Sequence, residues 1–268
     1  MRLTPQKIQK FRQVVWEHYK KHGRDLPWRR TKDPYHILVS EIMLQQTQVD
    51  RVIPKYELFL KKFPTLQHLH KASVANILKT WQGLGYNRRA LVLKNIAAQL
   101  QGRSIPRDTE QLEQLPGIGR YTAGAIAMFA YNRKGICLET NIRRVFLHHF
   151  FPNSANVSDE RLIPYIQQTL PARNVRTWYW ALMDYGAWLA KHVANPNRRS
   201  AQYHVQARFD GSVRQVRGHI LKLLVAKSEL SRKDLVRTFG RDVRMAPALA
   251  GLVRDGLIKE TKQHIVLA

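Results

Sequence analysis

Apolar residues recur at helical spacing along most of this chain. Ile8, Phe11, Val14 and Val15 begin the pattern. They predict a helix over 8–19 with one buried face. Asp33-Pro34 opens a second helix over 35–47, and a third follows over 49–63. Ser73 has the chemistry of an N-cap for a helix that ends near Trp81. Residues 87–101 read as a basic amphipathic helix. Helices over 109–115 and 121–131 flank a tight turn, and 140–149, 158–169 and 175–191 continue the pattern. No solenoid-type repeat is present. The pattern breaks at Asn195-Pro196-Asn197-Arg198-Arg199, a polar, basic linker. Beyond it, helices are expected over 213–225, from the Ser231 cap to Phe239, and over 246–255. A two-stranded hairpin with a polar turn is expected over 259–267, after Gly256-Leu257-Ile258. The expectation is an all-α fold with a helical domain over 1–195 and a small winged-helix-like domain over 209–268.

Charge narrows the class of partner. The 268 residues carry 45 Lys and Arg against 19 Asp and Glu, a net charge of +26. Such an excess points to a polyanion bound through counterion release. No apolar run approaches the roughly 20 residues of a membrane span, so no membrane partner is expected. The charged N-terminal residues 1–14 carry no secretory apolar segment. A cytoplasmic, nucleoid-associated monomer is expected. Cys137 is the only cysteine. This excludes internal disulfides and any zinc or iron–sulfur centre held by several cysteines.

Three segments carry candidate chemistry. In Leu115-Pro116-Gly117-Ile118-Gly119-Arg120-Tyr121-Thr122, Pro116 stops one helix and the next begins near Tyr121. Gly117 and Gly119 permit positive φ and leave turn amides uncovered. With Arg120 and Thr122 they would form a phosphate site at a helix start. This is a helix-hairpin-helix pattern that grips a DNA backbone without reading bases; an ordinary αα-hairpin turn looks the same. In the second segment, 39–49, Glu41 lies among apolar residues and beside a cluster of amides. Apolar surroundings disfavour the charged carboxylate, which suits a general acid. A solvent-facing Glu on a surface helix is the alternative. In Trp81-Gln82-Gly83-Leu84-Gly85-Tyr86 a tight turn carries an aromatic tip. Tyr86 either wedges into a base stack or joins the core. Arg88 and Arg89 follow it and suggest phosphate contacts. In the small unit, the third helix would be the groove-reading element of a DNA-binding winged helix. A protein-interaction winged helix is the other reading.

These segments, with Leu26-Pro27-Trp28-Arg29 and Asp33-Pro34-Tyr35, stand in an order and spacing that resembles the MutY-type adenine DNA glycosylases. Those belong to the helix-hairpin-helix superfamily that includes endonuclease III. The resemblance covers about residues 6–190, and Gln45-Gln46-Thr47-Gln48 is its most discriminating part. It implies a helix-hairpin-helix DNA glycosylase fold. It implies a partner of double-stranded DNA holding a mismatched or damaged base, and hydrolysis of the bond between a flipped adenine and its sugar. By resemblance, Glu41 is the general acid that protonates the purine ring, and Trp28 and Leu44 wall the adenine pocket. Arg29, next to Trp28, is grouped with the substrate-binding residues. Gln46 and Gln48 fill the stack and touch the orphan base, and Tyr86 is the wedge. Tyr121 falls where lyase-active relatives carry a Schiff-base Lys. A phenol forms no imine, so a monofunctional enzyme is expected. A monovalent cation at the hairpin is an expectation of the same kind.

The chain departs from that pattern in three places. Glu139 stands where the family usually has its catalytic Asp, with Asn141 retained beside it. The four cysteines that most members place after Met183-Asp184-Tyr185-Gly186 are missing, so no iron–sulfur cluster or other cofactor is expected. The segment ending in Asn195 to Ser200 would have to pack in its stead. The short C-terminal unit replaces the family's usual lesion-checking domain. It is expected to add phosphate contacts rather than base identity. Two rival readings remain at this level: a glycosylase for thymine or a deaminated base opposite guanine, and a non-catalytic binder of distorted DNA. A transcription regulator built on the winged helix is a third.

Overall fold

The computed structural model describes residues 2–261 and 263–268. In chain order the helices are α1 (Pro5–His22), α2 (Pro34–Leu44), α3 (Val49–Lys62), α4 (Leu66–Lys71), α5 (Val74–Trp81), α6 (Arg88–Leu100) and α7 (Thr109–Glu113). There follow α8 (Arg120–Tyr131), α9 (Thr140–Phe150), α10 (Asp159–Thr169), α11 (Val175–His192), α12 (Val213–Lys227), α13 (Arg232–Phe239) and α14 (Met245–Arg254). Three short strands, β1 (Glu229–Ser231), β2 (Ile258–Glu260) and β3 (His264–Leu267), lie in the C-terminal region. No helix among the described residues is long and apolar enough to cross a membrane.

The chain divides into two compact units that interleave in sequence. The first takes residues 1–37, 106–113 and 118–205; the second takes 38–105, 114–117 and 206–268. In the first, α11 packs along α9 and α1. Gly186 permits the closest approach: a Cβ there would lie 2.2 Å from the Asn141 carbonyl oxygen. Phe11 anchors the apolar face of α1, its ring 5.3 Å from Phe146 and 5.9 Å from Trp178. Such tilted and edge-on pairs are favoured by the ring quadrupole. Asp184 lies buried on α11 and accepts from both guanidinium nitrogens of Arg29 at 2.8 Å and from Arg24 Nε at 2.7 Å. Arg29 also stacks 5.5 Å from the Trp180 ring. The two arginines hold the Asp184 carboxyl below its usual pKa against the opposing effect of burial.

The linker expected to pack as a substitute structure is well tied. Residues 196–199 form a 3-10 turn (Pro196–Arg199) behind an Asn195 cap. Asn197 Nδ2 donates to the Thr140 carbonyl at 3.1 Å, and Arg199 donates to the carbonyls of Pro152 (2.8 Å) and Leu147 (3.3 Å). Backbone bonds between Val157 and both Arg199 and Ala201 complete the attachment.

In the second unit, Phe59, Trp81, Ile77, Leu93 and Ile96 are fully buried between α3, α5 and α6. Ser73 caps α5 by accepting from the Asn76 amide, as its position suggests. The C-terminal segment runs helix, strand, two helices, two strands, a winged-helix order. Its sheet has three strands rather than the expected two. Strand β3 lies in the middle, antiparallel to both β1 and β2, with Leu230 opposite Ile265 and Ile258 opposite Leu267. The extra strand is only three residues long, too short to show an alternating pattern. Lys262, part of the expected polar turn, lies outside the described residues. Ser231 and Asp234 form a full capping box at the start of α13. Helix α12 packs on α14 and also on α5, so the C-terminal segment and residues 38–105 share one unit.

Candidate active site

Helix α2 carries Glu41 at 8% exposure, among Leu38, Val39, Ile42 and Met43, each at 2% or less. The carboxyl is therefore no solvent-facing surface group. Leu44 ends the helix half-buried, and the chain then turns through Gln45 to Gln48 before α3. Gln46 and Gln48 are exposed, and Gln46 adopts the left-handed conformation (φ 55°). A non-glycine residue there is uncommon and implies that the surroundings hold the turn.

Arg89 is what holds it. Its Nη1 donates to the carbonyls of Ile42 and Met43, each at 2.9 Å, and to that of Gln45. Its Nη2 donates to Thr47 Oγ1 (2.9 Å) and to the Gly85 carbonyl (3.0 Å), and its Nε to the Tyr86 carbonyl (3.3 Å). The cation also lies 5.4 Å from the rings of both Trp81 and Tyr86. Burial lowers its pKa to about 10. This corrects the expectation that Arg89 contacts phosphate: the side chain is buried and its donors are committed. It splices the Gln-rich turn to the Gly83–Tyr86 turn. Arg88, one residue earlier, is exposed and remains available to a phosphate.

We expect Arg89→Met to strip several carbonyls of their donor and to cost about 3–5 kcal/mol, the usual scale for breaking a buried charge network. At about 2–4 °C per kcal/mol for a domain of this size, the melting temperature should fall by roughly 6–20 °C. Arg89→Lys should recover little, because three donors at one point cannot replace a planar fork. A thermal melt of the Met variant within about 2 °C of the parent, equivalent to about 1 kcal/mol or less, would show that the splice contributes little.

Tyr86 stands at φ 46° with 38% of its surface exposed, so it is a tip and not a core aromatic. It lines a cavity of about 820 Å³ together with Gln45, Gln46, Arg88, Gln206 and Arg214. Tyr86, Gln46 and Arg88 belong to the expected set, and Gln45 to the motif that carries Gln46. Gln206 and Arg214 had no motif to mark them; only the fold brings them beside Tyr86.

The hairpin uses its two glycines differently. Gly117 has φ 72°, and a Cβ there would meet Val92 Cγ2 at 2.7 Å. Gly119 is extended (φ −93°) and is the N-cap of α8, so it does not need the left-handed region. The expectation of positive φ holds for Gly117 only. Arg120 is exposed at the first position of α8 and Tyr121 is half-buried at the second. Thr122 is 4% exposed, so its hydroxyl is largely withdrawn from solvent. The amides of the first turn of α8 are the remaining backbone donors for an anion.

Trp28 is 8% exposed in the 3-10 turn Pro27–Arg29. Arg29, expected to contact substrate, is instead committed to Asp184. Its side chain is 6% exposed, and both terminal nitrogens are bonded. Asp184 was not singled out in the sequence. A lone acid in the apolar run Ala181 to Trp188, with Arg24 and Arg29 elsewhere in need of a partner, was the available signal.

Glu139 caps α9. Its Oε1 accepts from the amides of Asn141 and Ile142, each at 2.8 Å, and its Oε2 accepts from Asn141 Nδ2 at 3.2 Å. Asn141 Oδ1 in turn accepts from Arg144 Nη1 at 2.6 Å, and the same nitrogen donates to the Gly186 carbonyl at 2.8 Å. Burial raises the Glu139 pKa, while the two amides and then Arg144 and Arg143 oppose that rise. The result is a carboxyl fixed by a continuous chain of bonds, with Oε2 keeping a lone pair beyond its bond to Asn141.

The sequence of such a fold and site is matched by known proteins. Residues 39–168 match the model of the HhH-GPD superfamily base excision DNA repair protein. The chain is 34% identical to the adenine DNA glycosylase of Mycobacterium tuberculosis, across 96% of this chain and 92% of that protein. It is 38% identical to the adenine DNA glycosylase of Buchnera aphidicola subsp. Baizongia pistaciae across 66% of this chain, and spans about half of that relative's length (52%). Among solved structures, a thermostable thymine-DNA glycosylase superposes with a TM-score of 0.61 at 28% identity, covering 68% of this chain and 87% of that one. The chain belongs to the DNA N-glycosylases of the HhH-GPD base excision repair superfamily, and within them to the adenine DNA glycosylase family. DNA is accordingly its partner.

Proposed function

We propose that the chain removes adenine mispaired with guanine or oxidised guanine, by hydrolysis and without a strand-cutting step. The observation that carries this is Glu41, a carboxyl buried on α2 beside the Gln-rich turn. Protonation of the purine ring by Glu41 makes the base a better leaving group. The bond to the sugar then breaks toward an oxocarbenium-like state. Glu139, its Oε2 not consumed by the α9 cap, stabilises the cationic sugar, and Asn141 and Arg144 position it. Water adds to the sugar carbon and loses a proton to solvent, and uptake of a proton from solvent restores Glu41. Trp28 and Leu44 wall the adenine pocket, and Gln46, Gln48 and Tyr86 fill the stack. Phosphates are held by Arg88, Arg120 and the Gly117–Gly119 turn. The likeness to adenine DNA glycosylases extends over nearly the whole chain, whereas that to the thymine enzyme covers 68% of it. This supports adenine over thymine. The hairpin Gln114-Leu115-Pro116-Gly117-Ile118-Gly119 offers backbone oxygens and no carboxylate. That donor set suits a monovalent cation, and no step of the reaction depends on one. A monomer acting on DNA in the cytoplasm completes the proposal.

Single-turnover incubation with duplexes tests it. The panel holds adenine opposite guanine, oxidised guanine, cytosine or thymine, and thymine or uracil opposite guanine. Alkali-labile sites should form fastest where adenine faces guanine or its oxidised form. Borohydride should trap almost no covalent adduct, because the Tyr121 phenol forms no imine. Faster release of thymine, or efficient trapping, would overturn the assignment.

A further inference from the structure

The Tyr86 hydroxyl is held by two residues of the C-terminal segment. Its oxygen accepts from Arg214 Nη1 at 3.1 Å and from Gln206 Nε2. Arg214 is steadied in turn by the Ala207 carbonyl, which accepts from its Nη2 at 2.7 Å. Residues 206–214 thus bring an amide and a guanidinium to the tip that the glycosylase reading makes a wedge.

The cavity of about 820 Å³ around them has a mixed chemistry. Phe209, 57% exposed, lines it with Tyr86, so two aromatic faces are available for stacking. Gln46 and Gln206 each donate and accept. Arg88 and Arg214 supply positive charge. Asp255, an acid in the lining, is neutralised by Arg217. A surface made only for phosphate needs cations and amide hydrogens. It has no use for exposed rings and carboxamides. Aromatic faces, amides and a planar guanidinium together suit an unstacked nucleotide whose base edge is read. Arg214 Nη2 is taken up by the Ala207 and Arg208 carbonyls, but Nη1 keeps a second hydrogen beyond its bond to Tyr86, enough for one acceptor on a guanine edge. A carboxamide can also satisfy a ring nitrogen that oxidation has turned from acceptor to donor.

We infer that Gln206 and Arg214 are specificity-determining residues that read the guanine, intact or oxidised, facing the excised base. The inference rests on the glycosylase reading above. It replaces the expectation that the small C-terminal unit adds phosphate contacts alone.

Point variants are the suitable test, since removing α12 would uncover the α5 face on which it packs. The full chain is titrated with duplexes that carry an uncleavable 2′-fluoro adenosine opposite guanine, oxidised guanine, cytosine or thymine. The parent, Gln206→Leu, Arg214→Met and the double variant are compared. The parent should prefer the two guanine-type partners. Each single variant should lower that preference by about 5- to 100-fold, the scale of one good base-edge contact. An unchanged preference overturns the inference. So does a loss of affinity that is uniform across the partners, with a log–log salt slope shallower by about 0.9 in Arg214→Met, the mark of a phosphate contact. A parent without any preference overturns it too. Gln206 is exposed, so Gln206→Leu keeps the test open if Arg214→Met fails to fold. Affinity is measured without cleavage, and release from unmodified duplexes tests the glycosylase reading separately.

Discussion

Glu41→Gln is expected to slow single-turnover base release by about 10²- to 10⁴-fold, the usual worth of a positioned general acid. Duplex affinity should stay within a few-fold of the parent. Glutamine fills the same space on α2 between Ser40 and Ile42, all of which are buried, so the pocket keeps its shape. It has no proton to deliver to the purine ring. A loss in rate with affinity retained is the signature of an interaction made in the transition state. Affinity is read by fluorescence anisotropy and release by alkaline cleavage on the same duplex. Parental rates in Glu41→Gln would remove the residue from the mechanism and leave it a buried polar group of α2.

The helices of this chain were legible because their signals are local. Ser73 and Ser231 cap helices through bonds that reach three residues along the chain. The period of apolar residues outlines α3, α6 and α12 to within two residues. Helix α4 and strand β1 escaped, since six and three residues carry too little pattern. The charged residues were harder for a physical reason. A guanidinium in a basic chain defaults to the surface. Arg29 and Arg89 lie inside because of partners that spacing cannot reveal. Asp184 is 155 residues from Arg29, and the Ile42 carbonyl is 47 from Arg89. Both arginines lie within motifs that look functional, and both act by holding those motifs in shape. The candidate acid and the Gln-rich turn were legible, because a carboxylate in an apolar run is conspicuous. Gln206 and Arg214 were not, because nothing in the sequence around the loop before α12 or the first turn of α12 distinguishes them from other polar residues there.

Glu139 presents the sharpest separation of structure from chemistry. It caps α9 through Oε1, and in the proposed mechanism it stabilises the sugar cation. Glu139→Ala removes both functions and should cost about 0.5–2 kcal/mol of stability along with most of the activity. Glu139→Gln separates them. Its amide oxygen can still accept from the Asn141 and Ile142 amides, while its amide nitrogen gives up the bond from Asn141 Nδ2, so the melting temperature should fall by only a few degrees, about the worth of one hydrogen bond. The negative charge is gone, and release should fall on the order of 100-fold or more. Glu139→Asp keeps the charge and is itself a good cap, so it should retain or raise the rate. The pH dependence gives an independent check. Burial raises the Glu139 pKa, so the carboxylate is lost at a higher pH than usual as the solution is acidified. The single-turnover rate should therefore decline on the acid side from above the ordinary glutamate range. A cap alone predicts something else: full rates in Glu139→Gln at unchanged stability, and an acid limb that the substitution does not move. That result would assign the charge stabilisation to another residue and leave Glu139 as the start of a helix.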